Sequence, residues 1–472
     1  MNKILHRYNL NTRSLYSTAL ASVLLCLLFT ACVQHPEPLK PNFIIILTDD
    51  QGYGDVGIYG AQGFQTPNLD AMAARGIRFT DFYVPATVCT PARAALLTGC
   101  YPKRVGLHEA VLFPYSKHGL HPEEIILPEL LRPLGYATAC VGKWHLGHHP
   151  EFLPEKQGFG YVFSVPYSND MDSYQYRNPP FSSPPLPLYE NGDLIEEGPD
   201  QRYLTRRYTE AAVKFIEENR DRPFFLYLAH SMPHLPWHVS ERFQGTSERG
   251  LYGDVIQEID WSLGEILQTL RRNDLETTTL VIFTSDNGPV LGDKAGSAGP
   301  LRGRKAQTWE GGARVPCLAL WPGYIPEGEV CHEIATVMGL LPTFVTLAGG
   351  RIPDDQAIDG FDISQLLREP RSLPSPYDAL YYYSRDGTLE AIREGDWKLH
   401  TAKSRGWDTK QGQFPVSLYN LRDDIGETHN VAEQYPQLVK RLTEKMREFD
   451  LRLAQEVRPA GRALSINGRS PH

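Results

Sequence analysis

The chain has 472 residues and a formal net charge of −9, with 22% charged and 41% hydrophobic residues. This length allows a sizeable core and more than one folding unit, and the composition excludes a disordered or fibrous chain. A net-acidic surface does not attract nucleic acids or other polyanions, so an anionic substrate would need a local basic pocket.

The N-terminal segment has the pattern of a bacterial export signal. A basic leader precedes an apolar run, Ala19 to Phe29, that is too short to span a bilayer comfortably. The run ends in Leu-Phe-Thr-Ala-Cys, which resembles a lipobox with Cys32 as the lipidated residue. We expect a lipoprotein signal peptide over residues 1–31, a proline-containing tether over 32–41, and a periplasmic or cell-surface protein. A plain cleavable signal or an uncleaved anchor is the alternative, and cleavage would lower the net charge from −9 to −12.

Beyond the tether, apolar runs alternate with helical patterns and predict an α/β fold. Continuous apolar runs are typical of strands buried in a parallel sheet. A short helix is expected from Thr66-Pro67 to Gly76, and a longer one has a single apolar face from Tyr252 to Leu270. We expect a large, mostly parallel sheet between layers of helices. The predicted strands are 42–48, 138–141, 224–228, 280–284 and 317–320.

After Gly350 the pattern changes to short alternating runs followed by a helix from about Pro436 to Leu453. This predicts a catalytic domain over residues 42–350 and a smaller α+β subdomain with an antiparallel sheet over 351–472. A proline-rich span, Asn178 to Leu188, indicates a surface loop near the mouth of the active site. The predicted antiparallel strands are 381–383, 389–392 and 397–401.

The stretch from Ala86 to Gly99 places a cysteine at the start of a helix. Pro91 favours the first helical turn, Thr90 before it can cap the helix, and the final glycine ends it. Cys89 would then face unpaired backbone N–H groups, and Arg93 would project from the same face one turn later. Together these groups suit an anion, although a lone cysteine before a helix is more often a small buried apolar residue.

Oxygen ligands for a cation follow two of the predicted strands. Asp49 and Asp50 come directly after the first strand, and Asp286 and Asn287 after a later one. Open α/β sheets bind ligands at this edge, and such oxygen donors favour Ca²⁺, with Mg²⁺ as the second choice. Taken alone, each pair is also typical of a turn that ends a strand.

Four further loops contribute basic or polar side chains. Lys143 and His145 lie in Gly-Lys-Trp-His-Leu-Gly, and His234 ends another strand. Lys305 lies in a basic loop before Trp-Glu-Gly-Gly, and Ser168 lies in Pro-Tyr-Ser-Asn-Asp. Each would otherwise be an ordinary solvated loop residue.

The pattern Cys-x-Pro-x-Arg-x-x-Leu-x-Thr-Gly, here Cys89 to Gly99, resembles the signature of type I sulfatases. The Pro-Tyr-Ser-Asn-Asp stretch resembles their arylsulfatase A-like branch, and the resemblance extends from Asn42 to about Asp450. It implies an alkaline-phosphatase-like fold and a hydrolase of sulfate monoesters, acting on an aryl sulfate or, as we expect, a sulfated sugar. It also implies a formylglycine-generating enzyme as a partner, which oxidises Cys89 to formylglycine.

The resemblance further implies a role for each candidate residue. Arg93, Lys143 and Lys305 would neutralise the sulfuryl oxygens, and Ser168 would contact the substrate. His145 would pair with the formylglycine hydrate, and His234 would protonate the leaving group. The implied metal ligands are Asp49, Asp50, Asp286, Asn287 and residue 89.

Two other functions remain open at this point. A phosphomonoester or phosphonate hydrolase could use the same scaffold, and relative activity on aryl sulfate and aryl phosphate would separate the two enzymes. A surface glycan-binding lipoprotein with a decayed site would show no turnover. Tyr383, Arg385 and Trp407 are candidates for contacting a sugar.

The chain has seven cysteines, of which Cys26 would leave with the signal peptide, Cys32 would bear lipid and Cys89 would be modified. The others allow two disulfides in three pairings, or free thiols. They are Cys100, Cys140, Cys317 and Cys331.

Overall fold

A ten-stranded sheet forms the centre of the protein, with the order β12-β2-β11-β10-β1-β9-β5-β6-β7-β8. The computed structural model describes residues 40–109, 111–173, 184–292, 294–402, 404, 406–407 and 414–463. The strands are β1 (Asn42–Thr48), β2 (Ile77–Phe79), β3 (Phe82–Tyr83), β4 (His118–Gly119), β5 (Ala137–Lys143), β6 (Tyr161–Val165), β7 (Pro187–Glu190), β8 (Asp193–Glu197), β9 (Phe224–Ala229), β10 (Thr279–Ser285), β11 (Cys317–Leu320), β12 (Glu329–Cys331), β13 (Ala335–Thr336), β14 (Leu380–Tyr383), β15 (Leu389–Glu394), β16 (Trp397–His400), β17 (Ser417–Asn420) and β18 (Gly461–Arg462).

The five middle strands, β10, β1, β9, β5 and β6, are parallel, whereas β11 and β7 join them antiparallel at the two sides. The α-helices lie between the strands in the chain, which confirms the predicted α/β class. They are α1 (Pro67–Arg75), α2 (Cys89–Thr98), α3 (Leu127–Leu131), α4 (Leu204–Glu218), α5 (Leu251–Arg272), α6 (Glu310–Ala313), α7 (Leu340–Leu347), α8 (Ser364–Arg368) and α9 (Pro436–Gln455).

Strand β1 is buried on both faces because it lies in the middle of the sheet. Phe43, Ile45 and Leu47 pack in one core with α2 and α7. Ile44 and Ile46 pack in a second core with α1, α4 and α5. Alternate side chains of a strand point to opposite faces, so its continuous apolar run is the pattern that helices on both faces require.

A separate antiparallel sheet, β14-β15-β16-β17, lies in the C-terminal part, as the sequence predicted. Helix α9 packs its Leu442, Met446 and Phe449 into the core that also contains α2. The residues described from Lys40 onward belong to one compact unit. The predicted boundary at residue 350 stays a prediction.

Several predictions concern residues that the structure leaves undescribed. The signal peptide and the tether up to Leu39 lie outside the described residues, as does most of the proline-rich span. The end of that span differs from the predicted loop, because Pro187 and Leu188 begin β7. Among the described residues, no helix combines the length and the apolar character needed to cross a bilayer.

The four cysteines left open by the sequence are buried and free in the described structure. Cys317 and Cys331 cannot form a disulfide, because β2 lies between their strands. Both residues pair with Phe79 of β2, from its two sides. A disulfide needs a much closer approach of the two backbones.

Candidate active site

Two strand ends bring four oxygen-bearing side chains together, as predicted. Asp49 and Asp50 follow β1, and Asp286 and Asn287 follow the neighbouring parallel strand β10. The Asp50 N–H donates to Asp286 Oδ1 at 3.1 Å, and Asn287 Nδ2 donates to Asp50 Oδ1 at 2.7 Å. All four residues are buried.

The loop after Asp50 is held by Asp55, a buried residue that the sequence did not single out. Its carboxylate accepts bonds from Gly52 N at 2.9 Å, Ser297 N at 2.9 Å and the Tyr252 hydroxyl at 2.6 Å. Gly52 is local, but Tyr252 and Ser297 come from distant parts of the chain. No local pattern could therefore have indicated this role.

Cys89 is the first residue of helix α2, and Gly99 ends the helix with a φ of 68°. The predicted capping role of Thr90 is wrong, because the extended residue before the helix is Val88 and no side chain caps it. The Thr90 hydroxyl instead donates to the His145 carbonyl at 2.9 Å and accepts from Leu112 N at 3.1 Å.

The Cys89 thiol lies between a carboxylate and an ammonium group. Sγ is 3.5 Å from Asp49 Oδ1 and 3.5 Å from Lys305 Nζ. Arg93, on the same helix face, donates from Nε and Nη2 to Asp286 Oδ2 at 3.0 and 2.8 Å. The structure thus places the thiol at the helix N-terminus, one turn before the Arg93 guanidinium, beside the carboxylates of Asp49 and Asp286.

Two lysines complete the positive charge of the site. Lys143 Nζ donates to Asp49 Oδ2 at 2.5 Å and to Ser168 Oγ at 3.1 Å. Lys305 Nζ donates to Asp50 Oδ2 at 2.8 Å. A lysine at the end of β5 and a lysine from a distant loop thus each contact one of the adjacent aspartates.

The two candidate histidines have different surroundings. His234 Nε2 is 3.6 Å from Asp50 Oδ2. His145 Nε2 lies 2.9 Å from the Leu112 carbonyl, which can only accept, so Nε2 carries the proton. This leaves His145 Nδ1 as a buried acceptor that has no hydrogen-bond partner within the described structure.

The Lys305 loop is fixed on its inner side by backbone bonds. Lys305 N donates to Pro289 O at 2.9 Å, and Ala306 N donates to Thr87 O at 2.8 Å. These bonds connect the loop to the segments that contain Asn287 and Cys89. The loop position is therefore coupled to both parts of the site.

On its outer side, the loop is held by the Lys398 cluster, which we define as Lys398, Glu310 and Glu427. Lys398 Nζ donates to Thr308 O at 2.9 Å and Glu310 Oε1 at 2.8 Å, and lies 3.1 Å from Glu427 Oε1. Glu427 Oε2 accepts from Glu310 N at 2.8 Å. All three side chains are fully buried.

Of the three candidate sugar-binding residues, Tyr383 is unavailable to a sugar because it is only 2% exposed. Its hydroxyl donates to Asp450 Oδ1 at 2.9 Å. Arg385 and Trp407 lie together at the surface, with the guanidinium carbon 4.6 Å from the indole centroid.

Comparison with known protein families identifies the scaffold. The family model described as Sulfatase matches residues 41–350.

The chain belongs to the sulfatase family.

This sulfatase is 39% identical to human arylsulfatase A over 469 residues, which covers 92% of the chain and 91% of that protein. It is 41% identical to N-acetylgalactosamine-6-sulfatase of Sus scrofa over 386 residues, covering 77% of the chain and 72% of that protein. Relatives at this level, which span most of the chain, show that it is a sulfuric ester hydrolase.

Solved structures agree with the fold assignment. The PsFucS1 sulfatase from Pseudoalteromonas sp. superposes with a TM-score of 0.80 at 28% identity, covering 94% of this chain and 96% of that one. Ps i-CgsB in complex with k-i-k-neocarrahexaose superposes with a TM-score of 0.78 at 30% identity, covering 91% and 96%. The sulfatase therefore has the alkaline-phosphatase-like fold that the sequence predicted.

Electrostatics show that an unmodified cysteine is a poor catalyst here. Burial, together with the Asp49 charge, raises the pKa of the Cys89 thiol well above its usual range. Burial would also raise the pKa of Asp49, but the nearby Lys143, His234 and Arg93 charges outweigh it and hold that pKa well below its usual value. A protonated thiol is neither a strong nucleophile nor a metal ligand.

The donor set fits a divalent cation. Ligand atoms of Asp49, Asp50, Cys89 and His234 all lie within 4.8 Å of one another. Asn287 Oδ1 is buried without a hydrogen-bond partner in the part of the chain that the structure describes. Burial and the Asp49 charge raise the pKa of Asp286 even though Arg93 bonds to it, as expected where several carboxylates are crowded together.

Proposed function

We propose that this sulfatase hydrolyses the sulfate ester of a sulfated carbohydrate through a formylglycine made from Cys89. The position of Cys89 carries the proposal: it starts a helix and lies 3.5 Å from both Asp49 and Lys305. A group at this place faces the helix N-terminus and three cationic side chains, which suits the anionic sulfuryl group of a sulfate ester.

The hydrated aldehyde would supply a geminal diol. One hydroxyl would form a bond to sulfur as the bond from sulfur to the leaving oxygen breaks, and loss of the proton of the second hydroxyl would then break the C–O bond to sulfate and restore the aldehyde. Arg93, Lys143 and Lys305 bind the sulfuryl oxygens and neutralise their charge. His234 holds a proton for the oxygen of the leaving group, and Ser168 contacts the substrate. His145 accepts a proton at Nδ1, the buried acceptor without a partner among the described residues.

A divalent cation would be held by Asp49, Asp50, Asp286, Asn287 and residue 89. Ca²⁺ is the first choice and Mg²⁺ the second, because these protein donors are hard oxygens. When bound, the cation supplies positive charge that favours the ionised form of the attacking hydroxyl.

The carbohydrate specificity rests on the relatives. One is an N-acetylgalactosamine-6-sulfatase, and a structural neighbour was solved with neocarrahexaose. We infer an exported bacterial protein, lipid-anchored at Cys32 and matured by a formylglycine-generating enzyme. The proposed organisation is a signal peptide over 1–31, a tether over 32–41, a catalytic domain over 42–350 and a subdomain over 351–472.

A substrate panel tests the proposal. Sulfated mono- and disaccharides, nitrophenyl sulfate and nitrophenyl phosphate would be assayed with the same matured protein. We expect release of sulfate from at least one saccharide and a higher kcat/KM on the aryl sulfate than on the aryl phosphate. A preference for the phosphate would show a phosphomonoester hydrolase instead.

A further inference from the structure

Arg385 and Trp407 form an exposed pair in the C-terminal part, here called the Arg385–Trp407 pair. Trp407 is 51% exposed, and the Arg385 guanidinium lies over its indole ring. Arg385 Nε donates to Gly406 O at 3.1 Å, which fixes the guanidinium relative to the ring. A large, half-exposed indole held in this way presents an apolar surface beside a positive charge.

The pair lies next to the loop that contains Lys305. A Cβ built on Gly406 would come within 2.8 Å of Gln307 Cγ and 3.6 Å of Ala306 O, so the two loops touch. Ala306 directly follows Lys305. Gly406, the residue before Trp407, therefore contacts the loop that contains Lys305, a proposed sulfate-binding residue.

The Arg385 turn also contacts the segment that contains His108. Gly387 packs so closely on the His108 ring that a Cβ would overlap it. His108 belongs to the segment that leads to Leu112, whose carbonyl accepts from His145. The turn containing Arg385 thus touches one loop that flanks the site, and Gly406 touches the other.

Among the residues that the structure describes, Arg385 forms no ion pair. In the described structure its one hydrogen bond goes to a backbone carbonyl, and no carboxylate pairs with it. Arg393 on the next strand, by contrast, lies 2.7 Å from Asp81. A partly buried guanidinium with open donors is suited to bind a carboxylate or sulfate group in two-point contact.

We propose that the Arg385–Trp407 pair is a subsite for a second sugar unit that bears an anionic group. Trp407 stacks on the apolar face of that sugar, and Arg385 binds its sulfate or carboxylate. The substrate class is then an acidic oligosaccharide rather than a sulfated monosaccharide or an aryl sulfate. This inference rests on the proposed carbohydrate specificity.

Competition against nitrophenyl sulfate tests the subsite without requiring that the saccharide be cleaved. Inhibition constants would be measured for a hexose 6-sulfate and for its disaccharides with a neutral, a carboxylated or a second sulfated unit. Arg385→Gln and Trp407→Ala would be compared with wild type. The matched controls are Arg371→Gln, an exposed arginine paired with Glu329, and Tyr435→Ala, a 43% exposed aromatic residue.

We expect Arg385→Gln to weaken inhibition by the acidic disaccharides about 10-fold and to leave the neutral one within about 2-fold. Trp407→Ala should weaken inhibition by all three disaccharides, whereas both controls should behave as wild type. The carboxylated and sulfated disaccharides show which anion Arg385 prefers, and a loss with either supports the subsite.

An equal loss of nitrophenyl sulfate turnover in Arg385→Gln would overturn the inference, because the residue would then act on the site itself. Unchanged inhibition by every disaccharide would overturn it as well. If no saccharide inhibits the wild-type enzyme while nitrophenyl sulfate is cleaved, the carbohydrate specificity itself fails. Those three results are distinct from one another.

Discussion

Two buried charge clusters lie on either side of the Lys305 loop, and they differ in how completely their polar atoms are bonded. In the Lys398 cluster, three acceptors surround Lys398 Nζ within 3.1 Å, one for each ammonium hydrogen. In the active site, Asn287 Oδ1 and His145 Nδ1 are buried acceptors with no partner in the described structure. Beside the Lys398 cluster, Nδ1 of His400 and Oγ of its cross-strand partner Ser417 also lack a partner among the described residues, but neither atom belongs to the cluster itself.

This difference separates a structural cluster from a reactive one. A buried polar atom without a partner is costly, so it is retained where a ligand or a reacting group satisfies it. The Lys398 cluster needs no ligand, because each ammonium hydrogen of Lys398 has an acceptor, and it holds the Lys305 loop in place. The active-site cluster needs a cation for Asn287 and a proton donor for His145.

Removing the metal should have the largest effect on activity, because it acts on the active-site cluster and not on the Lys398 cluster. Chelation should lower activity by roughly 100-fold or more, because the crowded carboxylates of the active site lose their cation. Ca²⁺ should restore activity more fully than Mg²⁺. The circular dichroism spectrum should not change on chelation, because the Lys398 cluster does not depend on the metal. Full activity in a sample shown by elemental analysis to be metal-free would contradict the assignment.

Replacing each histidine should give different kinetics. His234→Ala should lose about 10²–10⁴-fold on a sulfated sugar, a poor leaving group, and much less on nitrophenyl sulfate. His145→Ala should slow both substrates and give a fast first turnover followed by a slow phase. Rapid-quench kinetics distinguish these patterns. Strong leaving-group dependence in His145→Ala and none in His234→Ala would reverse the two roles.

The two lysines should differ in what they stabilise. Lys398→Met removes the ammonium group between Glu310 and Glu427. Glu310 keeps Arg314 at 3.3 Å, but the buried Glu427 loses its lysine partner and keeps the His400 contact, so the free energy of unfolding should fall by about 3–5 kcal/mol. Lys305→Met should lower kcat/KM by about 10²-fold with a smaller loss of stability, since Asp50 keeps its bond from Asn287. Urea unfolding and initial rates measure both. The opposite ranking would show that the outer cluster is not the structural one.

The smallest expected effect is on the pH dependence of the free energy of unfolding, through His400 beside the Lys398 cluster. Burial lowers the pKa of His400 to about 4, so the unfolded chain binds a proton there at higher pH than the native protein does. The contribution of His400 to stability is therefore full above about pH 6.5 and falls by about 2 kcal/mol by pH 5.

His400→Gln keeps a donor for Glu427 and should flatten this dependence in urea unfolding between pH 7 and 5, with activity at pH 7 within about 2-fold of wild type. His429→Gln, at a side chain that is 83% exposed, is the control and should leave the slope unchanged. An unchanged slope in His400→Gln would show that this imidazole is not kept neutral by burial.

Several residues of the candidate site could be predicted from the sequence because each belongs to a local sequence pattern. Asp49 and Asp50 end an apolar strand, and Cys89 begins a helix closed by a glycine. Continuous apolar runs predicted β1, β9 and β10 to within one residue at each end.

What the sequence did not show depends on contacts between distant residues. The order of the strands, including β7 and β8 at one end of the sheet, is set by pairing between segments that no local sequence pattern records. Thr90 has a side chain suited to capping, but its hydroxyl bonds to His145 and Leu112 instead. The Lys398 cluster joins residues 310, 398 and 427, so its members look like ordinary charged residues in the sequence.

The central claim is that residue 89 is formylglycine in the active enzyme, and peptide mass spectrometry tests it most directly. The peptide containing residue 89, taken from protein of known specific activity, should show the aldehyde or its hydrate in proportion to that activity. Cys89→Ala should keep the thermal stability of the wild type and lose turnover. Fully active protein in which residue 89 is entirely unmodified cysteine would contradict the account.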